Sequence, residues 1–171
     1  SHTSWLHRGE LEIDPLHRGS KGNQYNLGDA RPHFEVVESP GGLLIGARRN
    51  AESGKYYWRI TQWIMPCVTM IAPRADHPAG GHFWIPIDDE NCWVWNWDYH
   101  AVRPLTRDEV VAMENGAGRH VIYEPGGWRA HNNKDNDYLI DRAAQKAGIT
   151  YSGIAGFAMQ DSGIQELMGP I

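Results

Sequence analysis

Apolar and polar positions alternate along the first half of the chain and recur every three to four residues in the second, so the period itself divides the sequence. Phe34-Glu35-Val36-Val37-Glu38 and Leu43-Leu44-Ile45-Gly46-Ala47-Arg48 predict two strands, and Ser39-Pro40-Gly41-Gly42 between them has the chemistry of a hairpin turn. Tyr56 to Met65, stopped by Pro66, predicts a third strand. Its alternation sets Arg59, Thr61 and Trp63 on one face and Trp58, Ile60 and Ile64 on the other. Cys67 to Ala72 reads as a further short strand. Gly81 to Ile87 and Cys92 to Trp97 close a second hairpin around Asp88-Asp89-Glu90-Asn91, and Pro86 predicts a sheet edge or a bulge.

Helical spacing begins after Pro104. Thr106 as N-cap and Glu109 three residues later form a capping box for a short helix through Met113, ended by Gly116-Ala117-Gly118. A second helix is expected over Asp137 to Ala147, stopped by Gly148, and a third from Phe157 to Met168. Strands followed by helices describe an α+β domain, an antiparallel sheet with its helices gathered on one side. Arg8 to Pro32 is rich in Gly, Asp, Asn and His without a sustained period and predicts a long loop.

A chain of 171 residues, 41% hydrophobic and 22% charged, fits one ordinary globular domain. Its net charge of -5 offers no general attraction to nucleic acid or anionic membrane. No apolar run approaches the roughly 20 residues of a membrane span and no signal peptide is visible; the two lone cysteines, Cys67 and Cys92, favour a cytoplasmic setting, which is the expectation. Eight Trp and seven Tyr against three Phe suit a pocket wall whose polar tips find partners. Trp93, Trp95 and Trp97 share one strand face and are expected in the core. Cys67 and Cys92 lie in apolar runs and are expected to be reduced and buried. As the only two cysteines they exclude a four-ligand Cys or Cys/His cluster within the chain. The absence of an initiator Met and the abrupt close at Met168-Gly169-Pro170-Ile171 predict a piece of a longer polypeptide, cut at both ends.

The candidate chemistry lies at the two ends. Ser1-His2-Thr3-Ser4-Trp5-Leu6-His7 carries two imidazoles and Gln160-Asp161-Ser162 a carboxylate, the donor set of a 2-His-1-carboxylate iron site. Spacing alone leaves this open. Side chains five apart on an ideal helix diverge by about 140°. His2 and His7 could therefore share a metal only if the turn between them bulges or the helix ends there; otherwise they are two unrelated histidines. Asp161-Ser162 could equally cap a helix running from Gly163 to Met168. His17 and His33 read as solvated loop histidines.

Longer runs shift that balance. Asn133-Lys134-Asp135-Asn136-Asp137-Tyr138-Leu139-Ile140-Asp141-Arg142, Thr150-Tyr151-Ser152-Gly153-Ile154 and the stretch from Met159 to Ile171 follow one another in order. With Tyr56 to Trp63 and Pro86 to Glu90, they resemble the catalytic domain of Rieske non-haem iron ring-hydroxylating oxygenase α subunits. The similarity covers essentially the whole chain. The nearest branch in pattern is that of phthalate 4,5-dioxygenase, with its phenoxybenzoate dioxygenase and dehydrodivanillate O-demethylase relatives. The resemblance implies that residues 1–171 are one catalytic domain of helix-grip (Bet v1/START-like) fold with mononuclear Fe(II) on His2, His7 and Asp161. It also implies O₂ and a small aromatic carboxylate as substrates, a reductase as electron source, and a trimer-based homo-oligomer for the full-length subunit. The family's [2Fe-2S] cluster belongs to an N-terminal Rieske domain with Cys-x-His and Cys-x-x-His pairs. Neither pair occurs in this chain, so the cluster is expected only in a missing upstream domain, and the chain alone is expected not to turn over. The family's acidic residue upstream of the first histidine and its helical stretch beyond Ile171 are missing as well.

An aromatic carboxylate needs a cation to hold it. Arg31 and Arg59 are the candidates, while Arg48 and Arg49 at a strand end are expected to be solvated. The expected reaction is dihydroxylation of a phthalate-like acid. Two alternatives stand beside it: O-demethylation of a methoxylated aromatic acid on the same iron, and a non-catalytic helix-grip ligand-binding module in which the histidines are incidental. A zinc hydrolase ranks last, because no His-Glu-x-x-His run accompanies the histidines.

Overall fold

A computed structural model of the chain describes residues 2–74 and 76–170; Ser1 of the opening stretch and Ile171 of the closing run lie outside them. The alternating half of the sequence forms β1 (His33–Ser39), β2 (Gly42–Asn50), β3 (Tyr56–Ile64), β4 (Val68–Ile71), β5 (Ala79–Pro86) and β6 (Cys92–Tyr99). They pair in sequence order as one antiparallel six-stranded sheet. Ser39 opposite Gly42 closes the first hairpin as expected. The register places Arg59 opposite Ala47, and Trp93, Trp95 and Trp97 opposite Ile85, Phe83 and Gly81.

Five α-helices are described: α1 (Glu10–Ile13), α2 (Asn23–Gly28), α3 (Arg107–Glu114), α4 (Arg142–Lys146) and α5 (Phe157–Leu167). The predicted capping box opens α3: Thr106 Oγ1 accepts the Glu109 N–H at 3.2 Å, and the Glu109 carboxylate accepts the Thr106 N–H at 2.7 Å. The protein is of the α+β class, compatible with the helix-grip arrangement. Its contacts fall into two compact units, residues 20–105 and residues 2–19 with the described residues from Thr106 onward. No helix among the described residues is long and apolar enough to cross a membrane.

Several local expectations are corrected. Arg8 to Pro32 is not one loop but contains α1 and α2, each too short to show a helical period. The helix expected from Asp137 starts only at Arg142, where the Asp141 carboxylate accepts the Ala144 N–H at 2.8 Å. Asp137, Tyr138 and Leu139 instead take left-handed conformations, with φ of 50°, 53° and 51°. Such angles strain L-residues. They are held by the Asn133 and Asn136 cap of a preceding 3₁₀ turn, by burial of the Tyr138 ring and by its hydroxyl donating to Glu166.

Pro86 marks neither an edge nor a bulge. It is the last residue of β5, an inner strand with continuous register, where a missing N–H interrupts no interior ladder bond. Cys67 and Cys92 are free as expected, but Cys67 is half-buried and Cys92, beside the polar turn, is exposed. Trp93 and Trp95 are exposed rather than in the core, and Trp97 is half-buried. Arg49, expected in solvent, is buried, because its Nε donates to the Asp29 carbonyl at 3.1 Å. The Asp29 carboxylate pins that segment further by accepting the Asn50 N–H and side-chain amide, both at 3.0 Å.

Candidate metal centre

The chain opens with a 3₁₀ turn over His2–Ser4, after which the N–H groups of Trp5 and Leu6 both donate to the His2 carbonyl, at 3.0 and 2.7 Å. The 3₁₀ turn ends at Ser4 and residues 5–9 form turns outside any helix, so His2 and His7 do not share one regular helix. Leu6 and Leu11 bury their side chains on either side of His7, and the Leu11 N–H donates to the His7 carbonyl at 3.0 Å. The His2 and His7 rings stand nearly perpendicular, with centroids 5.0 Å apart. Asp161 lies inside α5, which begins at Phe157, so the carboxylate is not the cap of a later helix.

His7 Nε2 lies 3.3 Å and His2 Nε2 3.8 Å from Asp161 Oδ1. One ligand-type atom from each of the three residues falls within 4.8 Å of the others. His7 is buried, Asp161 half-exposed and His2 exposed, so the cluster is held from one side and open on the other. Loss of hydration, helped by His7 alongside, outweighs the pull of Asp161 and lowers the His2 pKa from its ordinary value, which favours the neutral, ligating form. Two imidazoles and one carboxylate suit a divalent transition metal with free positions rather than an all-oxygen Ca²⁺ or Mg²⁺ site. The donors present fit mononuclear iron.

Sequence reasoning missed the polar groups behind these donors. Gln160 is fully buried: its Oε1 lies 2.7 Å from His7 Nδ1, and its Nε2 lies 2.8 Å from the Ile154 carbonyl and 3.3 Å from Glu10 Oε1. The buried Glu10 carboxylate also accepts the Gly156 N–H at 3.1 Å. Burial pushes the Glu10 pKa up, and the Gly156 bond offsets only part of that. Farther along, the Asp14 carboxylate accepts the N–H groups of Leu16 at 2.8 Å and Gly118 at 2.6 Å and sits 2.9 Å from His17 Nδ1. Burial alone would raise the Asp14 pKa, but the His17 contact and the two amides outweigh it and lower it. His17 is thus a half-buried partner of Asp14, not a solvated loop residue, whereas His33 is exposed as expected. Phe157 packs between the two imidazoles, its ring 4.7 Å from His7 and 4.3 Å from His17. The one signal for Gln160 was its place beside Asp161; nothing in the periodicity marked Glu10 or Asp14.

The three predicted metal ligands come together. The two predicted arginines belong to the sheet unit. Arg31 is exposed, and its backbone N–H donates to Asp29 at 3.1 Å. Arg59 is half-buried, its Nη2 donating to the Ala72 carbonyl at 2.8 Å while its Nε has no hydrogen-bond partner. Burial lowers the Arg59 pKa, Tyr57 opposes that, and Arg49 adds to it.

A family model described as LigXa C-terminal domain like matches residues 2–171. The chain belongs to that family. All of this LigXa C-terminal domain-like chain aligns with the oxygenase subunit of a 3-chlorobenzoate-3,4-dioxygenase from Comamonas testosteroni, at 28% identity over 188 residues. It aligns equally fully with the oxygenase subunit of a phthalate 4,5-dioxygenase from Pseudomonas putida, at 26% identity over 181 residues. The chain spans 42% and 40% of the lengths of these two relatives.

Proposed function

We propose that the chain is the catalytic domain of an aromatic ring-hydroxylating oxygenase of the Rieske type, with one ferrous ion held by His2, His7 and Asp161. The observation that carries this is the convergence of two imidazoles and a carboxylate, more than 150 residues apart along the chain, within 4.8 Å of one another. Bound there, Fe(II) would supply open coordination positions for O₂. The chain's own residues do the rest. His7 is the buried, fixed donor. His2 and Asp161 leave the other side accessible.

The substrate is an aromatic carboxylate, because the names of both relatives carry one, 3-chlorobenzoate and phthalate. Arg59 is the better candidate to receive the carboxylate, since its half-buried guanidinium keeps an unused Nε donor; Arg31 offers a solvated second cation. A [2Fe-2S] domain and a reductase outside this chain would supply the electrons.

The test is metal content together with product formation in the native oxygenase supplied with its reductase. About one ferrous ion per chain is expected, lost in His7→Ala and Asp161→Ala, with a cis-dihydrodiol formed from 3-chlorobenzoate or phthalate. Iron content unchanged in both variants would remove the proposal, and a phenol with formaldehyde from methoxylated acids would redirect it to O-demethylation.

A further inference from the structure

Taking His7 as an iron ligand, and so resting on the function proposed above, we propose that Gln160 is a positioning residue. It fixes His7 as the tautomer with hydrogen on Nδ1 and a bare Nε2 aimed at Asp161. The assignment follows from what each neighbour can donate. The amide nitrogen of Gln160 lies 2.8 Å from the Ile154 carbonyl oxygen, which has no hydrogen to give, so the NH₂ end of the amide belongs there. That nitrogen also lies 3.3 Å from Glu10 Oε1, an oxygen already receiving the Gly156 N–H. The amide oxygen is therefore the atom 2.7 Å from His7 Nδ1, and two acceptors cannot share a hydrogen bond unless the ring nitrogen carries the proton. A neutral imidazole with hydrogen on Nδ1 has its lone pair on Nε2, the atom 3.3 Å from Asp161 Oδ1.

Without Gln160 the local preference would run the other way. A carboxylate oxygen 3.3 Å from His7 Nε2 favours a hydrogen on that nitrogen, which would close the ring-to-carboxylate gap with an N–H···O bond and leave no lone pair for a metal. Gln160 holds the opposite tautomer, and its complete burial keeps the amide from turning over, since a turned amide would put two oxygens face to face at Ile154. One turn of α5 thus carries the ligand Asp161, the tautomer-setting Gln160 and Phe157, whose ring packs against His7. Partners of this kind orient a ligating imidazole and raise its basicity.

The experiment reads the tautomer directly. In the native protein stripped of metal, with ¹⁵N-labelled histidine rings and at a pH above the imidazole range, His7 is expected to show a protonated Nδ1 and an unprotonated Nε2. Gln160→Leu is expected to move the hydrogen to Nε2 and to weaken Fe(II) binding about 10- to 100-fold in a chelator competition. Glu10→Gln leaves the Ile154 carbonyl to orient the amide and is expected to keep the tautomer. A wild-type His7 with its hydrogen on Nε2 overturns the proposal, and this result needs no variant to fold. Gln160→Leu with unchanged tautomer and unchanged affinity overturns it as well. A protein that shows the Nδ1–H tautomer but takes up no Fe(II) upholds the role of Gln160 while removing the iron site.

Discussion

Every strand in residues 20–105 pairs with its neighbour in sequence, whereas the polar centre of the other unit is tied by bonds between residues 146, 150 and 153 positions apart. The difference extends to burial. Of the buried hydrophobic residues described, Ala72 and Ala79 alone belong to the sheet unit; Leu6, Leu11, Leu16, Tyr138, Ile154, Phe157 and Met159 belong to the other. His7, Glu10, Asp14 and Gln160 are buried among them. A sheet ladder is a sum of similar local bonds, and losing one leaves its neighbours intact. A buried polar set behaves otherwise, because each unsatisfied member costs its full desolvation. The two regions teach where tolerance ends: at side chains in one, at the close approach of backbones in the other.

Matched truncations test this most severely. Leu11→Ala empties a fully buried position in the polar-centred unit and is expected to cost about 2–5 kcal/mol. Leu44→Ala in the sheet, where the side chain is 38% exposed, should cost about 1 kcal/mol. Urea unfolding of both variants measures the gap, and equal losses would erase the contrast.

Gly81→Ala sharpens it from the sheet side. A Cβ at Gly81 would collide with the Thr69 carbonyl and crowd the Trp97 ring, and the carbonyl belongs to the adjoining strand and cannot step aside. A loss of about 3 kcal/mol, at the upper end for overpacking, is expected from the shift in thermal midpoint.

Asp14→Ala leaves the Gly118 and Leu16 N–H groups without their acceptor and is expected to cost about 1–3 kcal/mol. Its sign with pH is set by a lowered folded pKa. The contribution of Asp14 is complete above the ordinary aspartate value of 3.8 and is lost as pH falls through the lower value of the folded state. Denaturation followed from neutral to acid pH should therefore show a shallower acid limb in Asp14→Ala than in wild type, and identical limbs would remove Asp14 from the account.

Six strands, the two hairpins and the Thr106 cap of α3 were legible in the residues themselves, because strand alternation, turn chemistry and capping act over two to ten positions. The α+β class followed from the same local signals. Short range also explains the failures. A four-residue α1 has no period to read, and the run from Asp137 to Leu139 looks helical until burial of Tyr138 and its bond to Glu166 hold it left-handed. His2, His7 and Asp161 could be named from the chain, through a resemblance that carried their positions, but their spacing alone argued against a shared site. Only the tertiary structure ended the opening 3₁₀ turn at Ser4, returned α5 to His7 and chose Gln160, Glu10 and Asp14 as the groups behind the donors. Those choices rest on which polar atoms lose water together, and that depends on contacts more than 100 residues apart that no local pattern encodes.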